Sequence, residues 1–251
     1  ILGVIMYLRF GWVVGNVGLP ATLLIVTIST SITFLTALSI SAIATDQRVR
    51  VGGAYYMVSR SLGIETGGAV GIPLFFAQAL SVALYTVGFA ESVSRAFPFL
   101  PVGLVTTILV ALLALKSARV AIRAQYFIMG AIALSLISFF FGHSVGPADA
   151  VVVPIRDVPR QDFWVVFAVF FPAVTGIMAG VNMSGDLAHP GRAIPRGTLA
   201  AIGVGYAIYM ILPVFLAFRA DANSLIQDPL IMRRMALWGD AILLGVWGAT
   251  L

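Results

Sequence analysis

Two short segments of this 251-residue chain carry its most informative chemistry: Gly3-Val4-Ile5 within ILGVIMYLRFGWVVG and Gly176-Ile177-Met178 within FFPAVTGIMAGVNMSGDL. Each sets a glycine before two large apolar residues inside an apolar run. The second segment adds Pro172, which has no N–H to give to a helix and destabilises a helix interior, and then Thr175. A helix interrupted at such a point leaves N–H groups at the start of its second half, which suit an anion. It leaves carbonyls at the end of its first half, which suit a cation. Backbone of this kind is tolerated at membrane depth only where it lines protein or a water-filled cavity. A single glycine or proline in a membrane helix marks a kink or a packing contact more often than a site. Two breaks at corresponding positions, five spans apart, instead predict a transporter built from inverted repeats with its site at the midplane.

The elements that must hold these breaks are membrane spans. The chain is 60% apolar and only 10% charged, with a mean hydropathy of +1.04. A water-facing domain carries about a quarter charged residues, so lipid is the expected solvent. Each long apolar run can cross a hydrocarbon core that takes about 20 helical residues. The runs do not alternate as β-barrel strands do. The expected spans are Ile1 to about Gly18, Thr22 to Ala44, Ala69 to Ala90, a short Val102 to Leu115, Val120 to Phe141, Phe163 to Met183 with its internal break, Leu199 to Phe218, and an eighth beginning near Ala236. The chain opens and closes inside apolar runs, so it reads as residues 1–251 of a transmembrane transport domain cut at both ends, truncated after about span 8.

The basic residues set the orientation. With the N-terminus in the cytoplasm, the inside loops carry Arg48, Arg50, Arg60, Lys116, Arg119, Arg123, Arg192 and Arg196 against Asp46, Glu65 and Asp186. The outside loops carry Arg95, Arg156, Arg160, Arg219, Arg233 and Arg234 against Glu91, Asp149, Asp157, Asp162, Asp221, Asp228 and Asp240. That asymmetry predicts a cytoplasmic N-terminus. It also accounts for the net charge of +5 without a nucleic-acid partner. There is no cysteine, and His143 and His189 stand far apart, so no transition-metal site and no cofactor is expected. The inside segment ATDQRVRVGGAYYMVSRSLGIETGG is amphipathic, with Tyr55 to Leu62 predicted as a short interfacial or re-entrant helix.

Apart from Arg123 at the edge of the fifth span, Arg9 is the one basic residue within the spans, and no carboxylate lies centrally. A proton-driven carrier needs an intramembrane carboxylate or histidine relay; a site of carbonyls, hydroxyls and N–H groups suits small ions of both signs. The segments GVIMYLRFGWVVGNVGL, SISAIATDQRVRVGGAYYMVSRSLG, ALYTVGFAES and FFPAVTGIMAGVNMSGDLAHPGRAIPRGTLAA resemble the cation-chloride cotransporter family, a branch of the amino acid–polyamine–organocation superfamily. The resemblance runs over the whole chain and is weaker from Pro98 to Arg160 and from Ala220 to Arg234. It implies an all-α polytopic membrane protein with the five-plus-five inverted-repeat (LeuT-like) transporter fold, a prokaryotic member, and a soluble C-terminal domain not present in this chain. It further implies electroneutral, secondary active cotransport of chloride with potassium, sodium or both by alternating access, in the plasma (inner) membrane and in a homodimer. By position, the resemblance implies chloride at the amides of Gly3, Val4 and Ile5 and again at those of Gly176, Ile177 and Met178. It implies potassium at Ile1 (carbonyl), Tyr85, Pro172 (carbonyl) and Thr175 (hydroxyl). Where sodium is coupled, it implies carbonyls at Leu2 and Ala249. Leu2 replaces the tryptophan or phenylalanine usual in animal members, which bears on packing more than on a carbonyl ligand.

Other readings compete. An amino acid or polyamine carrier of the same superfamily puts small residues at the first break, where Val4 and Ile5 here crowd the space. A non-transporting regulatory homologue is at odds with the intact set Tyr85, Pro172 and Thr175. No GxSxG, HExxH, cysteine nucleophile or intramembrane acid pair suggests an enzyme. Several residues take plainer readings. Glu91 and Arg95, four apart, are expected to pair locally. Asp186 with Arg192 and Arg196 reads as a solvated cluster. Gly11 with Gly15, and Gly176 with Gly180, fit small-residue packing spacing.

Overall fold

The computed structural model describes residues 2–46, 52–94, 102–116, 118–145, 160–182, 184 and 187–250. Of the residues named above, Ile1, Arg48, Arg50, Arg95, Pro98, Asp149, Arg156, Asp157, Met183 and Asp186 lie outside them. The described residues are helical, with no strand among them. The first span is divided into α1 (Val4–Leu8) and the start of α2 (Phe10–Asp46), with Arg9 out of helical conformation between them at φ −120°, ψ −14°. Inside α2 the backbone breaks again at Gly18, whose φ of 75° and ψ of 172° only glycine reaches easily. Pro20 follows in the first turn of the next segment, where its missing N–H has no helical partner to lose. The expected end of the first span at Gly18 and start of the second at Thr22 therefore flank a real break in the helix.

Two further boundaries differ from expectation for a local reason. The third span belongs to α4 (Ile64–Ser94), which begins five residues before Ala69 and follows α3 (Gly53–Leu62) after Gly63 at φ 94°. The seventh belongs to α9 (Pro190–Arg219), nine residues longer at its start than Leu199. There the N–H groups of Arg192 and Ala193 donate to the His189 carbonyl at 3.1 and 2.9 Å, and Pro190 fits the first helical position. The rest follow as α5 (Val102–Lys116), α6 (Ala118–Phe140), α7 (Phe163–Phe170), a 3₁₀ turn (Phe171–Val174), α8 (Met178–Asn182), α10 (Ala222–Gln227), α11 (Ile231–Met235) and α12 (Gly239–Thr250). The segment between the seventh and eighth spans thus holds two short helices that periodicity does not reveal. By length and composition α2, α4 and α9 can cross a membrane, and Gln125–Phe140, Phe163–Val174 and Gly239–Ala249 are shorter apolar helices. On α4, Ile72, Phe75, Phe76 and Leu80 are exposed, as a lipid-facing surface requires.

The chain forms two compact units. One comprises Leu24–Ser81 and Val174–Met210. Its core gathers Ile40 and Ala44 of α2, Ala54 and Met57 of α3, Val181 of α8 and Ile194 of α9. The other comprises Leu2–Leu23, Val82–Ala173 and Ile211–Leu251. Its centre is α12 packed against α6 and α1, with Met6, Phe139, Leu212, Met235 and Val246 fully buried.

Strand-like alternation is absent, but the helix directions in the second unit carry topological information. Along α6 from Ile128 to Ser138, the partners on α12 run backwards: Gly248 approaches Ile128, Gly245 approaches Ser135, and the Trp238 N–H donates to Ser138 Oγ at 2.8 Å. The fifth and eighth spans are antiparallel. In α7 the order is likewise reversed against the first span: the Gln161 N–H donates to Asn16 Oδ1 at 2.8 Å, and Phe170 stacks on Phe10 at 5.3 Å between ring centres. Odd and even spans running in opposite senses is what alternate crossing of a bilayer demands.

Helix ends in this unit are satisfied chemically. Arg219 donates to the Phe139 and Phe140 carbonyls, both at 2.9 Å, placing a cation at the C-terminus of α6 with its guanidinium 4.6 Å from the Phe215 ring centre. Asp221 caps α10, accepting from the Ser224 N–H at 3.1 Å and the Ser224 hydroxyl at 2.6 Å. The Ser224 hydroxyl holds the Asp221 carboxyl below its ordinary range. A depressed carboxyl stabilises the fold above its unfolded-state pKa, and that stabilisation disappears as pH falls through the folded value. Asp221→Ala should therefore cost about 1 kcal/mol at neutral pH and progressively less as pH falls through the folded carboxyl's lowered range, measured as thermal unfolding in detergent. Gly11 and Gly15 do face α10 and α11: a Cβ on Gly15 would lie 2.7 Å from Ile226 Cγ1 and 2.8 Å from the Ala222 carbonyl. Gly15→Ala should destabilise by about 1–3 kcal/mol through overpacking, read in the same assay. A Cβ on Gly180, by contrast, meets nothing.

Candidate functional site

α1 starts at Val4 with Gly3 as an extended N-cap, φ −107° and ψ −177°, and no side chain caps it. The first backbone donation is the Met6 N–H to the Gly3 carbonyl at 3.1 Å. The N–H groups of Gly3, Val4 and Ile5 precede any carbonyl the helix could offer them. They form a cluster of donors at a positive helix end.

The final turns of α4 lie against this start in a fixed register. Tyr85 faces Gly3, where a Cβ would sit 3.5 Å from Tyr85 Cε1 and 4.0 Å from its hydroxyl oxygen. One turn on, a Cβ on Gly88 would come within 2.9 Å of Val4 Cγ2, so only glycine lets the helices approach here. Near the end of α4, Glu91 Oε2 accepts from Arg9 Nη2 at 2.9 Å. Residue numbers rise together on the two elements, so the first and third spans are parallel. The set Gly3, Val4, Ile5 and Tyr85 is thereby brought together: a phenol beside a helix start. Leu2 is half-buried just before it.

At the sixth span the helix is interrupted where the sequence places it. α7 passes into the 3₁₀ turn, which contains Pro172, and Thr175, Gly176 and Ile177 are non-helical before α8 begins at Met178. Gly176 has φ 96°, a conformation L side chains rarely adopt. Phe170, two residues before Pro172, is the residue stacked on Phe10, so Pro172 belongs to the same unit as Gly3 and Tyr85. Thr175, Gly176, Ile177 and Met178 belong to the other unit, where Ile177 and Met178 pack on its core. Ala249 is half-buried near the end of α12, beside Gly248, which approaches Ile128.

Three polar contacts here escape a reading of the sequence. Arg9 has a carboxylate partner, Glu91, eighty-two residues away. Asn182 donates to Gln78 Oε1 at 3.1 Å, and a Cβ on Gly53 would lie 2.5 Å from its Oδ1. Tyr7 reaches Ser135 across 128 positions. A signal existed for the first alone: an arginine inside an apolar span needs a partner. Among the described residues no group of three or more His, Cys, Asp or Glu side chains could hold a metal ion.

With Arg9 and Glu91 side chains 42% and 26% exposed, their pair is partly screened. Glu91→Gln should lower stability by about 0.5–1 kcal/mol at low salt and by less at high salt. Equal unfolding temperatures for the variant and the parent in low-salt detergent would remove this pair as a tether of α1.

Comparison with known proteins bears on what such a site handles. The amino acid permease family model matches residues 1–229. The chain is 38% identical over 237 residues to solute carrier family 12 member 2 of Squalus acanthias, an alignment taking in 83% of this chain and 20% of that protein. It is 36% identical over 270 residues to solute carrier family 12 member 8 of Mus musculus (100% and 38%). Against solute carrier family 12 member 1 of Homo sapiens it is 38% identical over 238 residues (84% and 22%). The chain thus spans well under half the length of these relatives. They are animal proteins, and nothing in them supports the expected prokaryotic origin. The all-helical described residues and the family match agree with the inverted-repeat transporter fold expected from the paired breaks.

Proposed function

The chain belongs to the amino acid permease family, and from that membership and the geometry of its first span we propose that it is part of a secondary active transporter. That transporter carries chloride together with potassium, with or without sodium, electroneutrally and by alternating access. The observation that carries this reading is the apposition of Gly3 and Tyr85 at the start of α1. Amide donors at a positive helix end suit chloride. A phenol and backbone carbonyls suit a large monovalent cation, whose loosely held water they can replace. Ions of opposite sign bound close together reduce each other's desolvation cost, which is a physical basis for coupling them.

In this proposal Gly3, Val4 and Ile5 donate to one chloride, and Gly176, Ile177 and Met178 to a second. Ile1, Tyr85, Pro172 and Thr175 hold potassium; Leu2 and Ala249 give carbonyls to sodium if it is coupled. The N-terminus is cytoplasmic, in keeping with the basic inside loops, and the protein sits in the plasma (inner) membrane as a homodimer with small ions and the lipid bilayer as its partners. No cofactor enters the mechanism.

The family model's own description favours an amino acid as a second candidate substrate. A carboxylate would need space at the same helix start, where superfamily amino acid carriers have small residues and this chain has Val4 and Ile5, both buried at 2% and 5% exposed. Rubidium and chloride uptake into vesicles holding the full-length protein should each require the other ion. Rubidium uptake that persists unchanged when gluconate replaces chloride sinks the proposal, and saturable inhibition by an amino acid favours the second substrate class. Tyr85→Phe should raise the half-saturating rubidium concentration about five- to ten-fold, the loss of one ligand-strength hydrogen-bonding group, with folding intact.

A further inference from the structure

Tyr7 has no ion to hold in the reading above, yet its side chain is 1% exposed, and its hydroxyl lies 2.5 Å from Ser135 Oγ of α6. Ser135 Oγ in turn lies 2.7 Å from the Ile132 carbonyl. A serine hydroxyl has one proton. Directed to the carbonyl, it leaves Oγ as the acceptor and Tyr7 as the donor, so the order is Tyr7 O–H to Ser135 Oγ–H to Ile132 C=O. Gly245 of α12 closes the third side: a Cβ there would stand 2.7 Å from the Tyr7 hydroxyl oxygen and 2.7 Å from Ser135 Cβ. The absence of a side chain at 245 is what lets a phenol fit between α6 and α12.

α1 has only five residues, and a helix that short cannot hold a direction of its own. Its direction must come from its neighbours. Arg9, beyond its C-terminus, is tied to α4 through Glu91. Tyr7, on the side meeting α6 and α12, is tied through the relay. Turning α1 about its axis would strand the phenol O–H in a buried apolar setting, which costs far more than an exposed hydroxyl would. Tyr7 is three residues from Val4, one turn, so the same rotation would swing the Gly3, Val4 and Ile5 amides. We infer that Tyr7, with Ser135, is a positioning residue for the chloride-facing amides at the start of α1. This rests on the chloride reading of those amides.

The test uses chloride-dependent rubidium uptake by the full-length protein in vesicles, with rate normalised to reconstituted protein. Tyr7→Phe keeps the ring and removes the proton; it should raise the half-saturating chloride concentration about three- to ten-fold, with the maximal rate kept within about two-fold. Ser135→Ala should do the same, and Tyr7→Phe with Ser135→Ala together should be no worse than either alone, as members of one unit are. An unchanged half-saturating chloride in Tyr7→Phe, strictly additive effects in the double variant, or loss of maximal rate alone overturns the inference. If the parent protein itself shows no chloride-dependent flux, the transport reading fails and this inference with it; flux with an unshifted chloride dependence defeats this inference only.

Discussion

A backbone N–H without a helical partner cannot face hydrocarbon, because nothing there accepts from it and the exposed group costs several kcal/mol. That constraint governs the first and sixth spans. Each is interrupted, and each interruption must be lined by protein or by something polar. At α1 the lining is visible: Tyr85 beside Gly3, Gly88 beneath Val4, and Glu91 on Arg9. The neighbouring helix does not merely cover the break. It meets it residue by residue, with a small residue where the backbones come close and a polar one where a charge or a donor needs company.

The same constraint explains why the short elements depend on long ones. α1, α8 and α11 have five residues each and cannot persist alone. α8 is held by packing on α3 and by the Asn182 amide on Gln78. α11 sits under Gly11 of α2, where a Cβ would press on Ile231, and lends the Met235 carbonyl to the His143 N–H at 2.8 Å. The long apolar helices provide direction, and the short ones provide helix ends, whose first N–H groups and last carbonyls fall outside the helical pattern. A transporter of ions needs both, since ions replacing their hydration require polar atoms that regular helices keep for themselves.

Much of this was legible in the residues. The apolar runs gave the membrane class, and the bound placed at Gly18 marked a break in the helix. Gly3 and Gly176 marked the two helix starts, and the Gly11–Gly15 spacing marked a packing face. Boundaries were displaced where local chemistry outweighed hydropathy, as at Pro190, which extends α9 through polar residues that a hydropathy reading assigns to a loop. α10 and α11 went unseen because their apolar residues are too few to show a period and their stability comes from contacts with α2.

What the sequence determined by itself are properties of composition and local backbone: a lipid-solvated helical chain, its break points, and the amides those breaks release. These follow from side-chain transfer energies and from the conformations open to glycine and proline, neither of which needs a partner. Only the tertiary structure decided the pairings. Tyr85 beside Gly3, Arg9 with Glu91, and Tyr7 with Ser135 join residues separated by about eighty to one hundred and thirty positions. No local rule selects among the many tyrosines, serines and acids at that distance. The choice was made by the parallel register of the first and third spans and by the antiparallel packing of α6 on α12, where Gly88 leaves room for Val4 and Gly245 for Tyr7 and Ser135.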